Sequence, residues 1–394
     1  MAERVVLAYS GGLDTSVAIP WLTEAGYEVI AVAVDVGQPG DLHRAMVRAD
    51  ALGAVESRLV DARDEFVEGF VLPALHMNAL YGRRYPLVSA LSRPLIAQVL
   101  VRVAAETDAA AVAHGCTGKG NDQVRFEVAL GALAPDLDVL APVRDWGMGR
   151  DETIRYAEER ALPIETKKSS PYSIDENAWG RSIECGVLED PWAAPPDEVF
   201  ELTKVDDAAP TGRDVEIEFE AGVPVALDGE SLSPLHLVEA IGKIAGSTGF
   251  GRIDSIEDRL VGIKSREVYE APAALALIAA HSDLESLTLA RAFAREKRRL
   301  DDLWADLVYE GLWFSPLRSA IDAFAASCSD VVSGAVRLRF GPGSCTITGR
   351  AAPKSLYDHG LATYDDGDVF PHEDAAGFIH LWGLATKQWA KTHG

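Results

Sequence analysis

Cysteines are few in this chain of 394 residues. The four are Cys116, Cys185, Cys328 and Cys345, and no two of them form a C-x-x-C pair. This spacing excludes a disulfide framework and a zinc-finger arrangement. Reduced thiols are typical of cytoplasmic proteins, and that is the location we expect. The sequence also lacks a hydrophobic run of membrane-spanning length and a signal-peptide core at its N-terminus, so we predict a soluble protein with no membrane partner.

Basic residues are also in short supply. Lysine and arginine number 37 against 61 aspartates and glutamates, which gives a formal net charge of −24. Nucleic-acid binding depends largely on Lys/Arg neutralisation of phosphates, so the charge argues against a nucleic-acid partner, although a local basic patch remains compatible with it. A hydrophobic content of 48% and a length sufficient for two domains indicate an ordinary globular protein.

A glycine-rich stretch without lysine follows the first apolar run, residues 4–7. It consists of Ala8, Tyr9, Ser10, Gly11, Gly12, Leu13, Asp14, Thr15 and Ser16, and a helix-compatible segment continues to about residue 25. A strand, a Gly-Gly turn and a helix start present backbone N–H groups and the positive end of a helix dipole to an anion. The glycines leave room for phosphate oxygens, and the serine and threonine hydroxyls add donors.

This stretch differs from the G-x-x-x-x-G-K-[ST] P-loop, whose lysine binds the terminal phosphates. Here Asp14 would repel phosphate unless a cation intervened. A plain Ser-Gly-Gly turn with an aspartate cap is the alternative interpretation. The motif SGGLDTS directly after an N-terminal strand resembles the pyrophosphate-binding loop of the N-type ATP pyrophosphatases, which split ATP into AMP and pyrophosphate.

Strands and helices alternate through the first half. We predict strands at 28–34, 57–60, 109–113 and 138–140, and helices at 41–52 and 93–107, the latter with Pro94 in its first turn. Near-continuous apolar strands separated by helices indicate a parallel sheet covered on both faces. Ligands collect beyond the carboxyl ends of such strands, which directs attention to residues 10–16, 35–38 and 114–125.

The third of these segments reads HGCTGKGNDQVRFE and opens a helix near Asn121. On that helix Asn121 and Arg125 lie four residues apart on one face, where both would reach a single amino-acid ligand. The Arg125 guanidinium suits a carboxylate. The alternative is a flexible surface loop with a helix cap at Asn121 or Asp122.

The second half has a different pattern. Strict alternation at 215–220, followed by a turn and partner strand within 222–229, predicts an antiparallel hairpin, and a second hairpin is expected from 331–340 and 345–349. Helices are predicted at 233–245, 273–281 and 283–309, so this half is α+β. A last helix, 375–391, carries Trp382, Leu384 and Trp389 without an evident core of its own. It packs either on its own chain or against another subunit.

Several motifs together are similar to the argininosuccinate synthase family. SGGLDTS and HGCTGKGNDQVRFE are joined, in the family's order, by residues 85–87, Arg93-Pro94, residues 169–177 and residues 256–272. The resemblance implies a Rossmann-like, adenine nucleotide alpha hydrolase-like domain at 1–166, an α+β synthetase domain at 167–362 and a C-terminal helical arm at 363–394. It also implies a homotetramer that joins L-citrulline to L-aspartate through a citrulline-adenylate and releases AMP and pyrophosphate.

The resemblance implies roles for individual residues. The ATP site would include Ala8, Tyr9, Ser10, Gly11, Gly12, Leu13, Asp14, Thr15, Ser16 and Gly115. Aspartate would bind at Thr117, Asn121 and Asp122, and citrulline at Tyr85, Asn121, Arg125, Ser173, Ser182, Glu257 and Tyr269. Mg²⁺ would be bound through ATP, with no protein ligand assigned. Asp14 would order the loop or approach the metal, and Asp122 or the adenylate phosphate would act as the base. Some family members carry serine at the position of Ala90, where Ser89 is the neighbouring hydroxyl.

Two other functions are compatible with the loop alone. Another N-type pyrophosphatase, of the tRNA-thiolating or the NAD or GMP synthetase type, is the nearer one, but thiolation needs reactive cysteines and a basic RNA surface. A nucleotide-binding sensor without catalysis is the other. Such a sensor would not need polar residues distributed over both halves of the chain.

Overall fold

The computed structural model describes residues 2–163, 171–206 and 212–394. The predicted boundary between residues 166 and 167, and the motif residues Ser169 and Ser170, lie outside the described residues.

The first half is built on a five-stranded parallel sheet. Its strands are β1 (Arg4–Ala8), β2 (Glu28–Asp35), β3 (Glu56–Asp61), β4 (Ala111–Ala113) and β5 (Asp138–Leu140), in the order β3-β2-β1-β4-β5. The helices are α1 (Leu13–Glu24), α2 (Leu42–Ala51), α3 (Arg63–Phe66), α4 (Leu72–His76), α5 (Val88–Glu106), α6 (Asn121–Leu133), α7 (Pro142–Asp145) and α8 (Arg150–Glu159), with a π-helical turn at Val67–Val71.

The central strand β1 shows why this sheet is covered on both faces. Val5 and Leu7 pack into one apolar core with α1 and α2, whereas Val6, which points the opposite way, belongs to the larger core that includes α5. All strand pairs in the sheet are parallel. The predicted doubly covered α/β domain is therefore confirmed.

Helix α5 corrects two sequence expectations. It begins at Val88, not at residue 93, so Pro94 lies inside the helix and not in its first turn. Leu87 precedes the helix with a φ of +63°. A leucine seldom adopts this left-handed conformation, so the sequence does not predict it. By length and composition α5 is also apolar enough to cross a membrane, contrary to the expectation of no such run, but 67% of that window is buried inside the fold.

The second half contains two antiparallel sheets. Its strands are β6 (Ser173–Asn177), β7 (Gly180–Glu184), β8 (Arg213–Glu220), β9 (Val223–Leu227), β10 (Glu230–Ser231), β11 (Arg252–Asp258), β12 (Lys264–Glu270), β13 (Gly334–Gly341) and β14 (Ser344–Ala351). Its helices are α9 (Pro234–Gly246), α10 (Pro272–Thr288), α11 (Arg291–Tyr309), α12 (Pro316–Ser329), α13 (His359–Ala362), α14 (His372–Trp382) and α15 (Leu384–His393), with 3-10 turns at Gly186–Glu189 and Asp197–Val199.

One sheet has the order β10-β9-β8-β13-β14 and the other the order β11-β12-β7-β6. Apolar and polar residues alternate along β8 because one face of the strand is buried. Val215, Ile217 and Phe219 lie on that face, and their neighbours in the strand are more exposed. Both predicted hairpins are present. The predicted helix boundary near residue 282 is wrong, because α10 continues to Thr288. The non-helical residues Leu289 and Ala290 separate it from α11.

The predicted tail helix is two helices, α14 and α15, which meet at Gly383. No residue of either helix is buried. Trp382 is 73% exposed and Trp389 64% exposed, so the apolar side chains of this arm do not find a core within the described part of their own chain.

Candidate active site

The glycine-rich stretch forms a tight link between β1 and α1. Gly12, in an extended conformation, occupies the cap position of α1, and its N–H donates a 3.3 Å hydrogen bond to the Ser10 hydroxyl. The Ser10 and Thr15 hydroxyl oxygens lie 3.1 Å apart. The first turn of α1 and these hydroxyls thus place polar groups just beyond the carboxyl end of β1, an arrangement that suits a phosphate.

Gly11 is the position in the loop that needs glycine. Its φ is +75°, and a Cβ there would lie 3.0 Å from the Ala45 Cβ on α2. Its carbonyl accepts a 2.8 Å hydrogen bond from the Arg48 Nη1, also on α2. The sequence showed a loop without a cation; the structure places a guanidinium against its backbone from a helix 37 residues away.

The predicted ATP residues divide into three groups. Ala8, Tyr9, Ser10, Thr15 and Gly115 line a cavity of about 460 Å³, which we call the nucleotide cavity. Asp14 lines the neighbouring cavity described below. Gly11, Gly12, Leu13 and Ser16 line neither cavity; Ser16 is buried, and its hydroxyl lies 3.1 Å from that of Tyr9.

The nucleotide cavity has apolar walls opposite the loop. Val32 and Val34 lie in the carboxyl half of β2, and Val36 follows the end of that strand. Ile96 and Phe126 come from α5 and α6. Gln38 closes the side, because its amide donates to the Val34 carbonyl at 2.7 Å and accepts from the Val36 N–H at 2.8 Å. Apolar walls with polar groups at one end are suited to a purine and its phosphates.

A second cavity, of about 390 Å³, lies between the two halves of the chain, and we call it the polar cavity. It brings together every predicted aspartate and citrulline residue: Tyr85, Thr117, Asn121, Asp122, Arg125, Ser173, Ser182, Glu257 and Tyr269. Ser10, Asp14 and Gly115 of the predicted ATP site also line it. Ser10 and Tyr269, which lie 259 positions apart in the sequence, therefore line one cavity that both halves build.

The first turn of α6 supplies one wall. As predicted, α6 begins at Asn121, whose Oδ1 accepts a 2.9 Å hydrogen bond from the Leu260 N–H in the second half. Asp122 accepts from Arg125 at 2.8 Å through Oδ1 and from Arg93 at 2.8 Å through Oδ2. Burial alone would raise the pKa of Asp122, but these two guanidinium groups lower it to about 2. An anion held in this way is a poor proton acceptor, which argues against Asp122 as a general base.

Stacked tyrosines form another part of the lining. The rings of Tyr85 and Tyr269 lie 4.2 Å apart and 19° from parallel, and the Tyr269 hydroxyl donates a 2.7 Å hydrogen bond to Glu257. Burial raises the pKa of Glu257 above its ordinary value. The Glu257 carboxylate is thus a buried acceptor in a polar cavity, where a cationic group would find favourable pairing.

Several residues of this site received no substrate role from the sequence, although five of them, Arg93, Cys116, Asp175, Arg259 and Glu267, lie within the motifs shared with the family. Ser89, Arg93, Cys116, Asp175, Glu184, Arg259, Glu267 and Tyr309 all line the polar cavity. Arg259 pairs with Glu184 at 2.7 Å and with Glu267 at 3.0 Å. Burial, then the charge of Glu267, raises the pKa of Glu184 to about 7. Their common feature, three-dimensional proximity across both halves, is not a local pattern.

Cys116 is a thiol at the junction of the two cavities. Burial, and then the nearby Asp122 carboxylate, raises its pKa to about 12. Such a thiol is protonated at neutral pH and is a poor nucleophile. This observation argues against the thiolation chemistry considered from the sequence.

The neighbouring positions Ser89 and Ala90 differ in exposure to the site. Ala90 is buried and lines neither cavity, whereas Ser89 lines the polar cavity with its Oγ 3.4 Å from the Ser182 Oγ. Of these two neighbouring positions, it is therefore Ser89 that offers a hydroxyl to the polar cavity.

The fold and the site together define an α/β half, of the kind that binds ligands beyond the carboxyl ends of its strands, that shares a polar cavity with an α+β half. Two family descriptions match the chain: "Arginosuccinate synthase N-terminal HUP domain" over residues 4–163, and "Arginosuccinate synthase C-terminal domain" over residues 172–389. The chain belongs to the argininosuccinate synthase family. The predicted enzyme class, a ligase that forms a C–N bond, is confirmed with it.

Curated relatives agree with this assignment. Argininosuccinate synthases of Halalkalibacterium halodurans, Bacillus pumilus and Brevibacillus brevis are each 55% identical to it over 389, 386 and 393 residues. The alignments cover 98%, 98% and 99% of this chain and 95%, 96% and 94% of the relatives. A solved structure, a predicted tRNA methyltransferase subunit from Methanocaldococcus jannaschii, is 15% identical in sequence to this chain. The match covers 40% of this chain and 75% of the chain of that structure. Its TM-score of 0.28 establishes no shared fold.

Proposed function

We propose that this chain joins L-citrulline to L-aspartate with ATP, giving argininosuccinate, AMP and pyrophosphate through a citrulline-adenylate. The observation that carries the proposal is the polar cavity, which opens beside the nucleotide cavity and is lined by residues from both halves. A sensor would need only the nucleotide cavity. A ligase must hold one amino acid against the α-phosphate and the second against the carbon that becomes activated, and proximity of this kind supplies much of the rate enhancement.

The charged side chains of Arg125 and Glu257 indicate where citrulline would bind in the polar cavity. Arg125 is buried, donates to the Tyr309 carbonyl at 3.0 Å, and faces the cavity beside Asn121, so it would bind the citrulline carboxylate. Glu257 would accept the α-ammonium. Tyr85, Tyr269, Ser173 and Ser182 would enclose the rest of the side chain.

Aspartate would bind at the first turn of α6. Thr117 and Asn121 offer a hydroxyl and an amide to its carboxylates, and Asp122 faces its ammonium as an ionised group. Because Arg93 and Arg125 hold Asp122, we assign it to binding and orientation, and the phosphate of the adenylate remains the candidate base. The second step then proceeds when the aspartate amine attacks the activated carbon and AMP departs.

ATP would lie with its base in the nucleotide cavity and its β- and γ-phosphates at the stretch from Ala8 to Ser16. Among the described residues no cluster of three or more His, Cys, Asp or Glu side chains has metal-binding geometry, so Mg²⁺ would be held mainly by the phosphates of ATP. Asp14, which lines the polar cavity, is the carboxylate of the loop that would approach it. When bound, Mg²⁺ neutralises phosphate charge as pyrophosphate leaves.

The same proposal extends to assembly and location. We divide the chain into a nucleotide-binding domain at 1–166, a synthetase domain at 167–362 and an arm at 363–394, and propose that the exposed apolar arm joins subunits of a homotetramer in the cytoplasm. Exposed tryptophans on an unsupported helix favour an intermolecular contact.

Product analysis tests the reaction directly. Purified protein would be incubated with ATP, Mg²⁺, citrulline and aspartate labelled with heavy nitrogen, and the products separated by mass spectrometry. We expect argininosuccinate carrying the label in its guanidino group, together with AMP. Labelled aspartate recovered unchanged while ATP is consumed would refute the proposal.

A further inference from the structure

The nucleotide cavity and the polar cavity share a wall. Six residues line both of them: Ser10, Arg93, Gly115, Cys116, Ile174 and Asp175. In an adenylation the α-phosphorus is the atom that passes from the nucleotide to the acceptor, so it must lie where the two cavities meet. Of the shared residues only Arg93 carries a positive charge.

Arg93 is held rigidly at this wall. Its Nε and Nη2 donate to the Asp122 Oδ2 at 3.0 and 2.8 Å, Nη2 donates to the Asp175 Oδ2 at 2.9 Å, and Nη1 donates to the Ser92 hydroxyl at 3.2 Å. The side chain is only 14% exposed. A guanidinium has five N–H donors, so one N–H on Nη1 has no protein acceptor within residues 2–163, 171–206 and 212–394.

The remaining cations near the site are engaged elsewhere. Arg48 binds the carbonyl of Gly11 and lines neither cavity, and Arg125 and Arg259 line only the polar cavity. The glycine-rich stretch itself contains no lysine or arginine. Among the described residues that line these cavities, Arg93 is therefore the side chain able to meet charge on the α-phosphate from the protein side.

We propose that Arg93 is a catalytic residue that donates a hydrogen bond to a non-bridging oxygen of the ATP α-phosphate during adenylation. This inference rests on the proposed function. In the step, the ureido oxygen of citrulline bonds to the α-phosphorus, and the bond from that phosphorus to the bridging oxygen breaks with its electron pair leaving on pyrophosphate. No external oxidant, reductant or proton donor is required. A prepositioned guanidinium stabilises the equatorial oxygens as the transition state forms.

The adenylation step can be measured alone. ATP is labelled with heavy oxygen at the bridge between the α- and β-phosphates, and citrulline is added without aspartate. Reversible cleavage then moves the label into non-bridging positions of the β-phosphate. We expect Arg93→Gln to slow this scrambling by about 10²- to 10³-fold, as removal of an oxyanion-stabilising donor does. Arg93→Lys, which keeps a charge, should recover part of the rate.

A purely structural role for Arg93 predicts a different result with sulfur-substituted nucleotide. ATP with sulfur in place of one non-bridging α-oxygen exists as two diastereomers, and the wild-type protein should discriminate between them. If Arg93 contacts one of those oxygens, the discrimination is lost in Arg93→Gln and weakened in Arg93→Lys. Arg144→Gln, at a surface arginine that lines neither cavity, serves as the matched control and should keep the wild-type pattern.

The outcomes separate this inference from the proposed function. Wild-type protein without citrulline-dependent scrambling would refute the proposed function itself. Wild-type scrambling that Arg93→Gln leaves intact would overturn the role of Arg93 alone. A slowed variant that keeps the wild-type preference between diastereomers would overturn it too, because the arginine would then act only by holding Asp122 and Asp175. Should Arg93→Gln fail to fold, the diastereomer comparison in Arg93→Lys decides the question.

Discussion

Arg125 donates a 2.8 Å hydrogen bond from Nη1 to the Oδ1 of Asp122, three residues before it on α6. This pair places a cation and an anion side by side at the wall of the polar cavity. The guanidinium can bind the carboxylate of one amino acid, and the carboxylate can bind the ammonium of another. One turn of α6 is therefore suited to two zwitterionic substrates.

The first prediction concerns Arg125. Arg125→Ala should raise the KM for citrulline by roughly 10- to 100-fold, the effect of a lost hydrogen bond between charged groups, while the KM for ATP changes far less. Initial rates with each substrate varied in turn measure this difference. Arg144→Ala, at an arginine outside both cavities, is the control. Equal increases in both KM values would remove Arg125 from the citrulline site.

The second prediction uses the ionisation of Asp122. Its pKa in the folded protein is about 2, below the ordinary 3.8, so the ionised carboxylate stabilises the fold above about pH 4. That stabilisation, roughly 2 kcal/mol, is lost as the pH falls towards 2. Urea unfolding should therefore show a larger gap between wild type and Asp122→Asn at pH 6 than at pH 3. A gap independent of pH would contradict the assigned ionisation.

The local part of this site was predictable from the residues themselves, whereas its distant residues, such as Ser173 and Glu257, were predicted only through the family resemblance. The stretch from Ala8 to Ser16 and the start of α6 at Asn121 carry their signals within a few residues, as glycines, hydroxyls and apolar periodicity. Arg93 and Asp175 are 82 residues apart, and only the folded chain joins them.

The errors in helix boundaries have similar causes. The start of α5 depends on Leu87 in a left-handed conformation, which leucine adopts only under tertiary constraint. Helix α10 passes through the predicted break near residue 282 because Leu284 and Thr288 are still buried against the core. Local propensity cannot anticipate either effect.

The third prediction separates backbone strain from nucleotide binding. Gly11 and Gly26 both have positive φ, at +75° and +97°, but only Gly11 lies in the loop between β1 and α1. Either glycine replaced by alanine should destabilise the fold by about 1 kcal/mol or more, measured by thermal unfolding. Only Gly11→Ala should weaken ATP binding, measured by calorimetry. Unchanged ATP affinity in Gly11→Ala would contradict the role of the loop.

The fourth prediction concerns the arm. Phe378 and Trp382 stack with ring centroids 5.5 Å apart and are 60% and 73% exposed. Replacing both by serine should lower the oligomeric state seen by analytical ultracentrifugation and leave the far-ultraviolet circular dichroism nearly unchanged, because no residue of α14 is buried in the chain's own core. Val47→Ser, at an exposed valine on α2, is the control. An unaltered sedimentation coefficient would show that the arm is not an intersubunit contact.

The central claim is that cleavage of ATP between its α- and β-phosphates is coupled to citrulline in the polar cavity. Pyrophosphate release, followed with citrulline, aspartate or ATP omitted in turn, tests it most directly. We predict sustained release only when all three substrates are present, and its loss when citrulline is left out. Pyrophosphate release at the same rate with and without citrulline would contradict the account.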